Sequence, residues 1–214
     1  MVYQEWERFE GDKVVATSPF SEKIFGFIMP GGRVLDLGCG NGRISRLIKE
    51  RGFQTWGMDV NEKAIAFAKA SPDLASIEFS VQDAQKTDYE ADFFDAVIEQ
   101  AVLACMEKPD RALVMSEVYR ILKPDGVFSI AEFGIREDKK EKYEIDARIT
   151  GEYGTRIVRR DDGSESFRSH NFNKEELDVL VKDAGFEVMD YEHPDFRTFT
   201  DNIHPGHQYI VRKV

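Results

Sequence analysis

Ten consecutive residues, Val34-Leu35-Asp36-Leu37-Gly38-Cys39-Gly40-Asn41-Gly42-Arg43, constrain the fold more than any other part of the chain. A short apolar run breaks into three alternating glycines. Ile44, Leu47 and Ile48 then recur at helical spacing up to a stop at Gly52. That order reads as a buried strand, a tight turn and a helix over 41–50. The alternation continues. Phe53 to Met58 reads as a second strand, and Asn61 as the N-cap of a helix through Ala70 with Ile65 and Ala68 facing inward. Ile77 to Val81 and Phe94 to Ile98 read as the third and fourth strands. Asp110 to Leu122 reads as a helix with Leu113, Val114, Glu117, Val118 and Ile121 in register. Lys123-Pro124-Asp125-Gly126 then turns into a fifth strand, Val127 to Ala131. Strands alternating with helices imply right-handed βαβ units, and those imply an α/β fold with a doubly wound, mostly parallel sheet covered on both faces.

After Gly134 the texture changes. Residues 134–173 hold nine basic and nine acidic residues and few apolar ones. Arg156 to Arg160, Asp161-Asp162-Gly163 and Ser164 to Phe172 read as a hairpin with a glycine-containing turn. The stretch is expected to be an insertion after strand five, either a solvated face or a lid that touches substrate. Asn173 with Glu176 has the spacing of a capping box; Leu177, Leu180 and Val181 line one helix face, and Gly185 ends it. Phe186 to Tyr191 and His207 to Val211 are two closing strands, which brings the expected sheet to seven. The whole chain reads as a single unit: a helical N-terminal cap (1–30), a core (31–133), the insertion (134–173) and a closing helix with strands (174–214).

Charge and cysteine content narrow the function classes. With 29 Lys and Arg against 40 Asp and Glu, the net charge is −11. Such a surface repels phosphate backbones and disfavours a protein that lives by gripping nucleic acid. Two cysteines, Cys39 and Cys105, make no disulfide framework and fit a reducing compartment. The first ten residues are acidic and lack the apolar stretch of a signal peptide. No apolar run approaches the ~20 residues of a membrane span. The expectation is a cytoplasmic protein.

The glycine loop sits where open α/β sheets bind ligands, at the carboxyl end of a strand and the start of a helix. Glycines let a ligand approach the backbone closely, and the helix N-terminus offers unpaired N–H groups to an anion. Asp59 ends the second strand 21 residues after Gly38. That spacing suits an acid accepting hydrogen bonds from both ribose hydroxyls of a nucleoside, each contributing roughly 1.5–3 kcal/mol. The competing reading, that Asp59 caps the following helix, is weakened because Asn61 fills that place. A dinucleotide turn, G-x-G-x-x-G, requires a third glycine where Arg43 stands, so the spacing departs from the NAD pattern.

At this point the sequence resembles the class I S-adenosylmethionine-dependent methyltransferases, most of all the branch acting on small molecules. The likeness runs in order through roughly residues 30–133. Val34 to Gly42 matches the E/D-x-G-x-G cofactor loop, and Asp59 the ribose-binding acid. Ser80-Val81-Gln82-Asp83-Ala84 matches the adenine turn, and Phe93-Phe94-Asp95-Ala96-Val97 the fourth-strand motif. Arg120-Ile121-Leu122-Lys123-Pro124-Asp125-Gly126 matches the junction before strand five. The resemblance implies S-adenosyl-L-methionine as cofactor. It implies that Gly38 and Gly40 lie against its methionine end and that Asp36 sits near the amino-acid moiety or fixes the loop. Asp59 would hold the ribose and Val60 flank the adenine. Asp83 would accept from the exocyclic amine, with the Ala84 N–H at the ring. Glu99 and Gln100 would stand near the methionine end. Gly42 reads as a packing glycine. The sequence departs from many relatives after strand four, where it has Ala104-Cys105-Met106 in place of a histidine or polar residue.

Methyl transfer needs a nucleophile held in line with the C–S bond, and a base only when that nucleophile arrives protonated. The four histidines, His170, His193, His204 and His207, are the candidates for a base. Tyr3 and Trp6 lie in the stretch that often caps the pocket in this family, and with His170 they are the candidate substrate contacts. There is no Asn/Asp-Pro-Pro-aromatic motif for a flipped base, no Pro-Cys context and no metal-ligand cluster, so no metal is expected. The reading is a methyltransferase for a small-molecule acceptor. Its alternatives are a protein or RNA methyltransferase that uses 134–173 for recognition, a non-catalytic cofactor-binding module and, more weakly, an NAD-dependent oxidoreductase.

Overall fold

Residues 20–197 and 203–214 are described by the structure, a computed structural model. Tyr3 and Trp6, and most of the expected N-terminal cap, lie outside them. Between Phe20 and β1 the described chain holds a single 3-10 turn, Glu22–Phe27. The elements then follow as β1 (Arg33–Leu37), α1 (Arg43–Glu50), β2 (Gln54–Asp59), α2 (Glu62–Ala70), β3 (Glu78–Val81), β4 (Phe94–Gln100), α3 (Lys108–Ile121) and β5 (Leu122–Phe133). After these come α4 (Lys140–Thr150), β6 (Thr155–Arg159), β7 (Glu165–His170), α5 (Lys174–Asp183), β8 (Phe186–Glu192), β9 (Asp195–Arg197) and β10 (Ile203–Lys213).

The main sheet runs in the order β3-β2-β1-β4-β5-β10-β8. The first five strands on this path pair in parallel, and β10 is antiparallel to both its neighbours. Seven strands lie on the path, as the sequence predicts. The short β9 is an addition that pairs with the outer end of β10. β1, β4 and the second half of β5 are buried almost throughout, as parallel strands with helices on both faces must be.

Local chemistry explains the joints. Asn61 caps α2 by accepting from the N–H groups of Lys63 and Ala64. Ile65 and Ala68 are buried beneath that helix. Helix α3 buries Val114, Met115, Val118 and Ile121, but Leu113 is 52% exposed, which corrects its assignment to the core face. Lys123–Gly126 does not separate helix from strand as a free turn. Leu122 already pairs with Phe94, the register then shifts, and Asp125 takes a left-handed φ of 61°.

The insertion leaves the sheet at the carboxyl end of β5 and returns to the same place. Phe172 donates its N–H to Phe133 O (2.8 Å) and accepts from Ile135 N (3.0 Å). Its hairpin is β6–β7, with Gly163 at φ +82° in the turn. Helix α4, which sequence reasoning missed, packs against β6 through Tyr143 and Asp146 and leaves Ile145 and Ile149 exposed. Among the described residues no helix is long and apolar enough to cross a membrane.

Candidate active site

The carboxyl ends of β1, β2, β3 and β4 meet at one edge, and the glycine loop crosses it. Asp36 is buried and accepts from Ser45 Oγ on α1 at 2.5 Å, which ties the strand to the helix on the far side of the loop. Burial raises its carboxyl to about 7, against the opposing effect of the serine.

The three glycines do different work. A Cβ on Gly38 (φ +70°) would stand 2.4 Å from Val102 Cγ2, so the loop after β4 packs directly against it. A Cβ on Gly42 (φ +84°) would strike Leu74 and Phe79, which fits a packing glycine. Gly40 has φ +52° and nothing within 4 Å of the same position, so its backbone faces open space.

Asp59 points back from the end of β2 into this loop. Its Oδ2 accepts from Gly40 N at 2.8 Å and its Oδ1 from Asn61 N at 2.9 Å. Burial pushes its carboxyl up while those N–H groups pull it down. Each carboxylate oxygen has a second lone pair, so the side chain retains accepting capacity beside an open backbone. Val60 next to it is half-buried. Gln82 N donates to Asp59 O (3.1 Å), which brings the turn after β3 alongside. There Ala84 is buried and Asp83 exposed, its Oδ1 accepting from Gln85 N at 2.9 Å.

At the end of β4 two neighbours behave differently. Gln100 is half-buried and accepts from the Arg43 guanidinium, so a cation from the first turn of α1 reaches across the loop. Glu99 is sealed from solvent. Its oxygens accept from Val102 N (3.0 Å) and Ala131 N (3.1 Å), so it shapes the turn after β4. Glu132 on β5 is equally buried and accepts from Ala104 N at 3.1 Å, leaving Oε2 without a partner. Burial raises both carboxyls, Glu99 to about 7 and Glu132 well above its ordinary range. Both acids therefore favour their protonated form in the folded chain.

The insertion closes over the turn after β4. A cleft of about 230 Å³ lies between Ala104–Pro109 on one side and Thr150–Thr155 and Arg168–His170 on the other. Cys105 lines it, and burial, with the carboxylates of Glu132, Asp59 and Glu99 adding to it, pushes its thiol up. His170 also lines it but offers no free nitrogen. Thr155 Oγ1 lies 2.8 Å from Nδ1 and Glu176 Oε2 lies 3.1 Å from Nε2. Glu152, His170 and Glu176 together have the donor atoms of a metal site. The buried Arg111 guanidinium already donates to Glu152 (2.7 and 3.0 Å) and reaches Glu176 (3.5 Å), so the acids are neutralised by an internal cation. Of the other histidines, His207 lies 2.9 Å from the Tyr191 hydroxyl, His193 is exposed against it, and His204 is buried at the start of β10.

Two observations fit this edge to a nucleoside cofactor: an acid with lone pairs to spare at the end of β2, and a glycine backbone opening onto space beside it. Arg43, Ser45, Arg111, Glu132, Glu152 and Glu176 escaped sequence reasoning as site residues. Arg43 carried a signal, since it opens the helix after the glycines. The others are joined by contacts that span up to 65 residues and leave no local pattern.

Comparison with known proteins agrees with this geometry. A family model described as a methyltransferase domain matches residues 28–188. An S-adenosylmethionine-dependent methyltransferase from Methanosarcina mazei superposes with a TM-score of 0.86 at 29% identity, covering 92% of this chain and 99% of that one. The 2-methyl-6-phytyl-1,4-hydroquinone methyltransferase of Synechocystis sp. is 33% identical over 113 residues, 52% of this chain and 35% of that protein. The ubiquinone biosynthesis O-methyltransferase of Pseudomonas paraeruginosa is 29% identical over 171 residues, 76% of this chain and 67% of that protein. The chain spans between 35% and 53% of the length of three curated relatives it matches.

Proposed function

Because the chain belongs to the class I S-adenosylmethionine-dependent methyltransferases, we propose that it transfers a methyl group to a small-molecule acceptor at the carboxyl edge of its sheet. The observation that carries this reading is Asp59 aimed at the open backbone of Gly40. When bound, S-adenosyl-L-methionine supplies an electrophilic methyl group on a sulfonium. In this reading Asp59 accepts from the ribose, Val60 flanks the adenine, and Asp83 with the Ala84 N–H meets its edge. Gly38 and Gly40 give the methionine end access to the backbone. Asp36 acts through Ser45 by fixing the loop, and Glu99 acts through the turn it ties. Gln100 and Arg43 face the amino-acid moiety, where the guanidinium suits a carboxylate.

A small acceptor is favoured by the insertion, which folds back to its own starting point and leaves a cleft, not a broad platform, against the turn after β4. The net charge of −11 points the same way. Two relatives are named for hydroquinone and ubiquinone chemistry, which suggests an acceptor with a conjugated ring. The sequence offers Tyr3, Trp6 and His170 as acceptor contacts, with His170 acting by positioning because both its nitrogens are in use.

Calorimetry with S-adenosylmethionine and S-adenosylhomocysteine tests the reading. Wild type binds both, and Asp59→Ala binds them roughly tenfold to a hundredfold more weakly, the worth of a hydrogen bond to a charged acceptor. Absence of binding by wild type, or an unchanged affinity in Asp59→Ala, overturns it.

A further inference from the structure

We propose that Ala101 is a positioning residue for methyl transfer: its left-handed backbone sets the turn after β4 so that one side abuts the cofactor loop and the other forms a wall of the cleft, which couples the two. The identity of the ligands on those two sides rests on the methyl-transfer reading; the held turn rests on backbone geometry and hydrogen bonds.

Three non-glycine residues among those described have positive φ: Asp92, Ala101 and Asp125. The two aspartates are exposed, and a short polar side chain tolerates the left-handed region. Ala101 shares neither trait. Its φ is 58°, it is buried, and its side chain makes no hydrogen bond. Glycine adopts this backbone without steric cost, and the chain uses glycine at 38, 40 and 42, where φ is also positive. A strained residue persists only where its surroundings over-determine it, and such residues cluster at functional places.

At Ala101 the surroundings do so residue by residue. Ala101 N donates to Ala131 O (2.8 Å), and Cys105 Sγ donates to Ala101 O (3.2 Å). Two buried acids hold the N–H groups that follow, Glu99 that of Val102 and Glu132 that of Ala104. Arg111 holds the carbonyls of Leu103 (3.4 Å) and Met106 (2.9 Å). Ala101 itself joins the apolar cluster of Ala131, Phe133 and Phe196. That packing accounts for alanine in place of glycine: the methyl group locks a conformation that glycine would leave free to change. Carboxyl groups are costly to bury, so two of them on one short turn mark its shape as needed.

The turn has two working sides. Gln100, before Ala101, accepts from Arg43; Val102, after it, sits against Gly38, where a Cβ would come within 2.4 Å of Val102 Cγ2. Two residues further on, Ala104, Cys105 and Met106 line the cleft. The bonds to Glu99, Glu132 and Arg111 tie residues 102–106 into one piece. A ligand that fixes the glycine loop against Val102 therefore fixes the cleft wall as well, and the cofactor preorganises the place for the acceptor.

Ala101→Gly separates this role from packing, since glycine keeps the backbone and removes only the lock. Its urea midpoint should stay near wild type, because relief of strain offsets the lost methyl contact and the freer unfolded chain. Without any ligand, iodoacetamide should alkylate Cys105 roughly fivefold or more faster in the variant, peptide mass spectrometry identifying the labelled residue. In wild type, saturating S-adenosylhomocysteine should slow Cys105 alkylation, and raise the hydrogen-exchange protection of the Ala104, Cys105 and Met106 amides, by a similar factor. In the variant that ligand effect should fall below about twofold. Equal ligand-free rates in the two proteins, or an equal effect of S-adenosylhomocysteine on both, overturns the positioning role. A faster rate matched by an equal fall in global stability also overturns it, since packing alone explains that result. Failure of wild type to bind S-adenosylhomocysteine overturns the methyl-transfer reading instead, and the ligand-free alkylation still judges the held turn.

Discussion

Two charged side chains, one on each side of the reacting edge, are held in contrasting ways. Asp59 takes backbone N–H groups from Gly40 and Asn61, 19 and 2 residues away along the chain. Arg111 takes Glu152 and Glu176, 41 and 65 residues away. The first arrangement is local, uses the main chain, and leaves lone pairs for a ligand. The second is long-range, uses side chains, and leaves nothing over. The glycine loop therefore keeps accepting capacity that a ligand can use, whereas the Arg111 network is a fastening between α3, the insertion and α5.

The largest effect that separates these roles is on stability. Arg111→Met should cost about 3–5 kcal/mol in urea unfolding, because it strands acids that the guanidinium now neutralises. Cofactor affinity of the folded fraction should stay near wild type. A loss confined to affinity would erase the distinction.

A smaller effect concerns the acids beneath the loop after β4. Glu99 and Glu132 hold a proton in the folded chain that they release near pH 4.5 when unfolded. A raised folded pKa contributes stability that is complete below the unfolded value and drains as pH climbs through the folded one. Wild type should thus lose stability relative to Glu132→Gln between about pH 5 and 8, by up to about 1.4 kcal/mol per pH unit. His204 and His207 have lowered pKa values and act with the opposite sign at acid pH, but they are common to both proteins and cancel in the difference. Parallel stability curves would show that burial does not raise the Glu132 carboxyl.

The smallest effect compares two glycines. Gly42→Ala should destabilise by about 1–3 kcal/mol through strain and collision with Leu74 and Phe79, without a selective loss of cofactor. Gly40→Ala, which meets no protein atom, should cost about 1–2 kcal/mol in backbone strain and should weaken S-adenosylhomocysteine binding selectively. The reverse assignment, with Gly42 controlling affinity, would displace the site from the open backbone.

The same contrast explains what could be read in advance. The five parallel strands, the Asn61 cap and the acid at Asp59 were legible because apolar runs, turn residues and short spacings record them. Helix α4 was not, since it buries Tyr143 and Asp146 while turning Ile145 and Ile149 outward, so its apolar pattern marks the wrong face. Leu113 misled for the same reason. Glu132 looked like an ordinary strand residue, and only the pairing of β4 with β5 sets it near Glu99.

Glu176 stands where a capping box requires a reciprocal partner for Asn173. Asn173 does accept from the Glu176 N–H at 2.8 Å, but the Glu176 carboxylate turns to His170 and Arg111. The first turn of α5 thus gives up half of its own cap to anchor the hairpin. Specificity in such a chain cannot be exchanged by grafting 134–173 from a relative as a cassette. A transplanted segment would arrive without its anchor unless residues 111 and 176 travelled with it, and diversification is confined to positions inside the segment that leave the anchor untouched.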